Sequence, residues 1–224
     1  MRAVVLVSGG MDSATCLALA RQAGYEVFAL TVDYGQRHRW EIDAARAVCS
    51  AGAVKDHRIV KVELTAIGGS ALTAAIDVPK DRDLAKSEIP VTYVPARNTV
   101  FLALGLGLCE VVGAEALYLG ATAVDYSGYP DCRPEYFAAF EKLAALATVA
   151  AIQGKPVKIL TPLLHLSKAE IARTGVALGV DYGLTLSCYD PGSGGRPCGH
   201  CDACRLRQKG FEEAGIIDPA TRVN

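Results

Sequence analysis

No apolar run in this 224-residue chain approaches the roughly 20 residues that a bilayer-spanning helix needs. Net charge is almost absent too. With 23 basic and 24 acidic residues the balance is -1, which removes the electrostatic case for sequence-independent nucleic-acid binding and favours a small-molecule substrate. Neither G-x-x-x-x-G-K-[ST] nor G-x-G-x-x-G occurs, so the Walker-type phosphate loop and the dinucleotide fingerprint are both excluded. There is no internal repeat and no low-complexity tract. The opening run Met1–Val7 is too short for a secretory signal and lacks a small-residue cleavage site; it is expected to be a buried strand of a cytoplasmic enzyme.

What is present is an α/β alternation. Arg2–Val7 and Glu26–Val32 read as apolar strands around a helix over Ser13–Ala23, a βαβ unit. The pattern continues with a helix over His38–Ala51, a strand near Arg58–Val62, a helix over Asn98–Val112, and strands at Ala116–Leu119 and Val157–Leu160. These predict an open, roughly five-stranded parallel sheet with helices on both faces, ligands binding beyond the carboxyl ends of the strands. One domain is expected over 1–224: a nucleotide-binding core over 1–183 with a C-terminal segment, 184–224, packed on it. Residues 65–95 are irregular and charged, suiting either a lid or a surface loop. A long helix over Pro134–Gln153 is apolar on more than one face, carrying Tyr136, Phe137, Phe140, Leu143, Leu146 and Val149; it predicts a homodimer interface.

The chemistry starts at Ser8-Gly9-Gly10-Met11-Asp12-Ser13, between the first strand and a helix start. Unpaired N–H groups and the helix dipole make that junction an anion site, and the glycines let backbone approach phosphate closely. A carboxylate so near phosphates implies an intervening Mg²⁺. The loop resembles the SGGxDS loop of the ATP pyrophosphatase families, which implies ATP bound by Val7, Ser8, Gly9, Gly10, Met11, Asp12, Ser13, Ala14, Thr15, Cys16 and Leu17. Val32 and Asp33 end the second strand, where Thr31–Gln36 can read the adenine edge. Lys168, at a helix start, resembles a lysine those families turn toward phosphates.

Cys188, Cys198, Cys201 and Cys204 cluster near the C-terminus, while Cys16, Cys49 and Cys109 fall on helices and read as core. Without a secretion signal, such a cluster argues for metal rather than disulfides. Four thiolates suit structural, tetrahedral Zn²⁺; an iron–sulfur cluster is the alternative, although the x3-C-P continuation of ferredoxins is missing, and His200 is a spare ligand.

Arg97 stands ahead of one helix, and the strand-end stretch Asp125-Tyr126-Ser127-Gly128-Tyr129-Pro130-Asp131-Cys132-Arg133 offers a polar, aromatic surface for a flat heterocycle. With the phosphate loop, Asp33-Tyr34-Gly35-Gln36-Arg37-His38 and C-x9-C-x2-C-x2-C, these residues resemble the 7-cyano-7-deazaguanine synthase family from Met1 to about Phe211. The resemblance implies conversion of 7-carboxy-7-deazaguanine and ammonia to a nitrile at the expense of ATP, through an adenylated carboxylate and an amide. It implies that Tyr126, Tyr129 and Asp131 face the deazaguanine, and makes Arg97 and Arg133 candidates for the substrate carboxylate or the α phosphate. Asp12, Arg97, Lys168 and Asp125 are the catalytic candidates, with Asp125 and Asp131 open as proton carriers. Two rivals stand beside it: a transfer-RNA thiolase or lysidine-type enzyme, and a zinc-ribbon module using Arg205, Arg207 and Lys209, residues that otherwise read as a solvated helix face.

Overall fold

The computed structural model describes residues 1–84, 88–124 and 129–221. Five parallel strands, β1 (Arg2–Leu6), β2 (Glu26–Asp33), β3 (Asp56–Lys61), β4 (Ala116–Leu119) and β5 (Lys158–Leu160), form one sheet in the order β3-β2-β1-β4-β5. Between them run α1 (Met11–Gln22), α2 (Trp40–Ala51), α3 (Arg97–Val112), α4 (Pro134–Ala147) and α5 (Val149–Ile152). After β5 come α6 (Lys168–Ala177) and α7 (Asp202–Ala214). The doubly wound α/β expectation is met, and the strand order reverses between β1 and β4, leaving a crevice at their carboxyl ends.

Strand residues alternate between two cores, as a period of two requires. Val4 and Leu6 of β1, Leu30 and Val32 of β2 and Leu117 of β4 join the layer holding Leu102, Leu106, Phe137 and Phe140. Ala3, Val5, Val27, Ala29, Ala116 and Tyr118 point to the opposite layer with Leu17, Ile171, Tyr182 and Phe211. Because both faces are covered, β1 and β4 read as continuous apolar runs. Cys16, Cys49 and Cys109 are buried as expected, and burial pushes the Cys49 and Cys109 thiols up to about 12.

Two expectations need correction. The helix over Pro134–Gln153 is broken at Thr148, whose extended backbone (φ -122°, ψ 147°) ends α4 and whose side chain accepts from Ala151 N–H to cap α5. Only one side of α4 is buried, through Phe137, Phe140 and Ala144; Leu143, Leu146, Val149 and Ile152 remain exposed. Arg207, read as a solvated residue of α7, is 6% exposed and forms a bidentate pair with Asp218 at 2.7 and 2.8 Å. Arg205 also turns inward, donating to the Arg82 carbonyl, whereas Lys209 stays exposed beside Glu213.

The described part of 65–95 packs through Ala71, Leu72, Val78 and Val94 into the core. Its charged centre is tied to the C-terminal segment: Lys80 to Asp190 at 2.7 Å, Arg82 to Asp202 at 3.0 Å, and Asp81 N–H to the His200 carbonyl at 2.9 Å. Among the described residues, no helix is long and apolar enough to cross a membrane.

Candidate active site

The crevice at the strand ends holds a cavity of about 250 Å³. Its floor is the end of β1 and the phosphate loop. Gly9 has φ +88°, and a Cβ there would lie 2.5 Å from the Glu41 carbonyl oxygen, so glycine permits both the turn and the approach of α2. Gly10 precedes α1 without capping it by a side chain. The loop hydroxyls are knitted together: Gly10 N–H donates to Ser8 Oγ (3.3 Å), Ser8 to Ser13 Oγ (3.2 Å), and Ser13 to the Gly10 carbonyl (3.0 Å). These bonds fix the loop's shape from within.

Lys168 reaches Asp12 from the first turn of α6, Nζ lying 2.6 Å from Oδ2. The start of α6 is fixed by a capping box between Ser167 and Glu170, which lowers the Glu170 carboxyl below its usual range through hydrogen bonds from Ser167. Close approach of α7 adds to this, since a Cβ on Gly210 would sit 2.4 Å from Lys168 Cβ. Asp12 Oδ1 is buried without a protein partner, an orphaned carboxylate oxygen suited to a divalent cation.

Of the residues expected to bind nucleotide, Val7, Ser8, Gly10, Met11, Asp12, Ser13, Val32 and Lys168 line the cavity. Gly9 lies under α2 instead, and Ala14, Thr15, Cys16 and Leu17 are buried along α1 beyond its first turn. There Thr15 Oγ1 donates to the Met11 carbonyl (2.8 Å) and sits 2.7 Å from the Tyr182 hydroxyl. Asp33 is turned to its own loop, accepting from Gly35 N–H at 3.4 Å.

On the substrate side, Arg97 and Tyr129 line the cavity. The Arg97 guanidinium stands 5.8 Å from the Tyr34 ring centre and 5.9 Å from that of Phe101. Tyr129 packs on Tyr93 and its hydroxyl lies 3.0 Å from that of Thr92. Asp131 is not on the wall. It is buried and caps α3, accepting from Asn98 N–H at 3.1 Å, while Asn98 Nδ2 donates back to the Asp131 carbonyl at 3.0 Å. Arg133 is exposed, its Nε donating to the Pro130 carbonyl at 3.0 Å. Asp125 and Tyr126 lie outside the described residues. Cys132 reaches the cavity with its thiol pushed up to about 11 by burial and the nearby Asp131, which keeps it protonated.

The sequence reading missed Glu41, Ser187 and Arg207, all of which line the cavity. Burial pushes the Glu41 carboxyl up to about 7 against the opposing pull of Arg97. Its place in the first turn of the helix after the Asp33–His38 motif was the available signal. Ser187 and Arg207 come from the C-terminal segment, which docks directly on the loop: Leu186 N–H donates to the Gly9 carbonyl (2.9 Å), and Met11 N–H to Ser187 Oγ (3.4 Å).

The four clustered cysteines converge, with all Sγ atoms within 4.8 Å of one another. Tetrahedral zinc with bonds of about 2.3 Å sets sulfurs about 3.8 Å apart; Cys188 and Cys201 stand at 4.0 Å. Backbone N–H groups of Cys198 and Cys201 donate to Cys188 and Cys198 sulfurs at 3.2 and 3.3 Å. His200 turns away, pairing its ring with Asp81.

Comparison with known proteins follows the same lines. The family model described as "Queuosine biosynthesis protein QueC" matches residues 2–215. The 7-cyano-7-deazaguanine synthase of Solidesulfovibrio magneticus is 61% identical over 221 residues, covering 97% of this chain and 94% of the relative. That of Myxococcus xanthus is 60% identical over 220 residues, covering 97% and 96%. Among solved structures, NMN synthetase from Francisella tularensis matches with a TM-score of 0.49 and 16% identity, over 96% of this chain and 73% of that one.

Proposed function

The chain belongs to the queuosine biosynthesis protein QueC family, and from that premise we infer that it is a 7-cyano-7-deazaguanine synthase, an ATP-dependent carbon–nitrogen ligase turning 7-carboxy-7-deazaguanine and ammonia into the nitrile. The observation that carries the inference onto this chain is a single cavity that joins the phosphate loop to an arginine–aromatic wall. ATP would lie with its β and γ phosphates on Ser8–Ser13 and the start of α1, where unpaired N–H groups and the helix dipole favour an anion. Lys168 brings its ammonium to that end. The deazaguanine would lie against Arg97, Tyr34 and Tyr129, with the guanidinium drawing the carboxylate toward the α phosphate.

A carboxylate is a poor electrophile because its leaving group would be oxide. Transfer of AMP to its oxygen makes a leaving group, ammonia displaces AMP to give the amide, and a second activation of the amide oxygen allows loss of AMP to give the nitrile. Mg²⁺ bound through Asp12 would neutralise the departing pyrophosphate; the orphaned Oδ1 fits that assignment. Zn²⁺ held by Cys188, Cys198, Cys201 and Cys204 would be structural, since four thiolates close its coordination sphere. Self-association as a homodimer would bury the exposed Leu143, Leu146, Val149 and Ile152 strip.

Incubation with ATP, Mg²⁺, ammonia and 7-carboxy-7-deazaguanine is expected to yield the nitrile, AMP and pyrophosphate. No product from zinc-replete protein would defeat the assignment, and ADP as the sole nucleotide product would defeat the reading of the loop. A ribbon-type RNA module is disfavoured by α7 itself, because Arg205 and Arg207 are spent inside the fold.

A further inference from the structure

Two carboxylates line the cavity among the described residues, Asp12 and Glu41. Asp12 is committed to Lys168. The Glu41 carboxyl enters no hydrogen bond or ion pair among the described residues. It is held in the first turn of α2, whose backbone is pressed onto Gly9 of the phosphate loop. From there it lies within electrostatic reach of Tyr34 at the end of β2 and Arg97 at the start of α3. Tyr129, Cys132 and Tyr189 also line the cavity, with Asp12, Lys168 and Arg207 as its other charged groups.

Both chemical stages release a proton from nitrogen, and few of these groups can take it. Burial raises the Tyr34 hydroxyl and the Cys132 thiol, the latter to about 11, so at neutral pH both already hold their protons. Arginines cannot act as bases. Asp131, one of the carboxylates that the sequence left open for this task, is buried behind Asn98. Glu41, at about 7, is free, carboxylic and poised to exchange a proton near neutrality.

We propose that Glu41 is the general base of both nitrogen-handling steps, a role that rests on the nitrile-synthase reading above. In the first step the ammonia lone pair forms the C–N bond, a proton passes from that nitrogen to Glu41, and the C–O electron pair leaves with AMP. In the second, the amide oxygen takes AMP from ATP, the resulting imidate nitrogen gives one of its two protons to solvent to become neutral C=NH, and Glu41 removes the other. The N–H electrons become C–N bonding electrons, the C–O bond breaks, and AMP leaves with its pair. Glu41 returns each proton to solvent between steps.

The test compares native enzyme, Glu41→Gln and Glu41→Ala in two assays. Exchange of labelled pyrophosphate into ATP in the presence of the acid reads activation alone; amide and nitrile formation read nitrogen transfer. Nitrogen transfer is expected to fall by about 10²–10⁴ in both variants, the range for loss of a general base, with exchange reduced by less than tenfold. The acidic limb of the native kcat/KM profile near pH 7 should vanish in Glu41→Gln, and added formate should restore part of the Glu41→Ala rate. The assignment is overturned by nitrogen transfer within a few-fold of native, by an unchanged acidic limb, or by exchange falling in parallel, which would make Glu41 an ATP-positioning residue. A native enzyme that forms no nitrile defeats the parent reading instead and removes the basis for this one.

Discussion

Replacing Asp218 with alanine tests whether the C-terminal segment is locked to the core by a buried charge. Both partners of the Arg207–Asp218 pair are 8% exposed at the side chain. The guanidinium spends Nε and one N–H of its NH2 nitrogen on Asp218, the rest going to the Tyr182 carbonyl (3.0 Å), Thr185 Oγ1 (2.7 Å) and Ser187 Oγ (3.4 Å). Asp218→Ala strands a buried cation with two donors unmatched, and it also removes the acceptor of Ala220 N–H. Breaking such a pair costs about 3–5 kcal/mol; since three N–H bonds survive, the lower part of that range, about 3–4 kcal/mol, is expected. For a chain of this size that lowers Tm by roughly 6–16 °C. Urea and thermal unfolding of the zinc-loaded protein would measure it, with Asp43→Ala as the comparison. Asp43 pairs with Arg46 at 2.9 Å but both are more than half exposed, so its loss should cost about 0–1 kcal/mol. If Asp218→Ala costs no more than Asp43→Ala, the buried pair is not what holds the segment. The double variant Arg207→Met/Asp218→Ala should recover much of the loss, because the stranded charge goes with the arginine.

Purified protein is expected to carry one zinc per chain by elemental analysis, and Cys201→Ser or a strong chelator should remove it and lower the urea midpoint; iron with sulfide in its place would reverse the assignment of the metal. Glu41→Gln has a separate stability consequence. Burial raises the folded-state carboxyl from 4.5 to about 7, so the fold favours the protonated form and loses stability as pH rises through that window. The glutamine variant should therefore be about 2–3 kcal/mol more stable than native at pH 8 and equal to it at pH 4; equal stabilities at pH 8 would mean the carboxyl is solvated. Gly210→Ala puts a methyl 2.4 Å from Lys168 Cβ, so α6 and α7 must part at a cost of about 1–3 kcal/mol; the KM for ATP should rise as Lys168 leaves Asp12, and an unchanged KM would separate the two. Leu146→Glu should shift a sedimentation profile from dimer to monomer, while an unshifted dimer would place the interface elsewhere.

The parallel sheet and the glycine-rich loop between β1 and α1 were legible because their signals are local: β1 is apolar on both faces, and the loop follows it within a few residues. The cysteine cluster was legible because only spacing and residue type matter to it. The contact that Asp131 makes with Asn98 was not legible, for the opposite reason. A carboxylate in a loop rich in tyrosines looks like a ligand for a heterocycle, and nothing nearby in sequence announces that Asn98, 33 positions away, needs an acceptor for its N–H. Arg207 was hidden in the same way, since its partner Asp218 lies past the end of α7, where helical spacing no longer says which residues meet. The break at Thr148 was readable in principle, a β-branched residue whose hydroxyl can cap the next turn, but the apolar residues on either side run through it without a change in composition.

The phosphate loop and the metal tail, read as separate motifs in the sequence, share one wall in the fold. Leu186 N–H holds the Gly9 carbonyl, and Ser187 Oγ accepts from both Met11 N–H and Arg207. Ser187 is followed directly by Cys188, and Arg207 lies three residues after Cys204, so the thiolate cluster fixes the two ends of this contact. A Ser187 oxygen that already accepts two N–H groups has its own proton left to offer toward the cavity. Metal held at the cysteines would set the register of the segment that carries Ser187 and Arg207 against the loop.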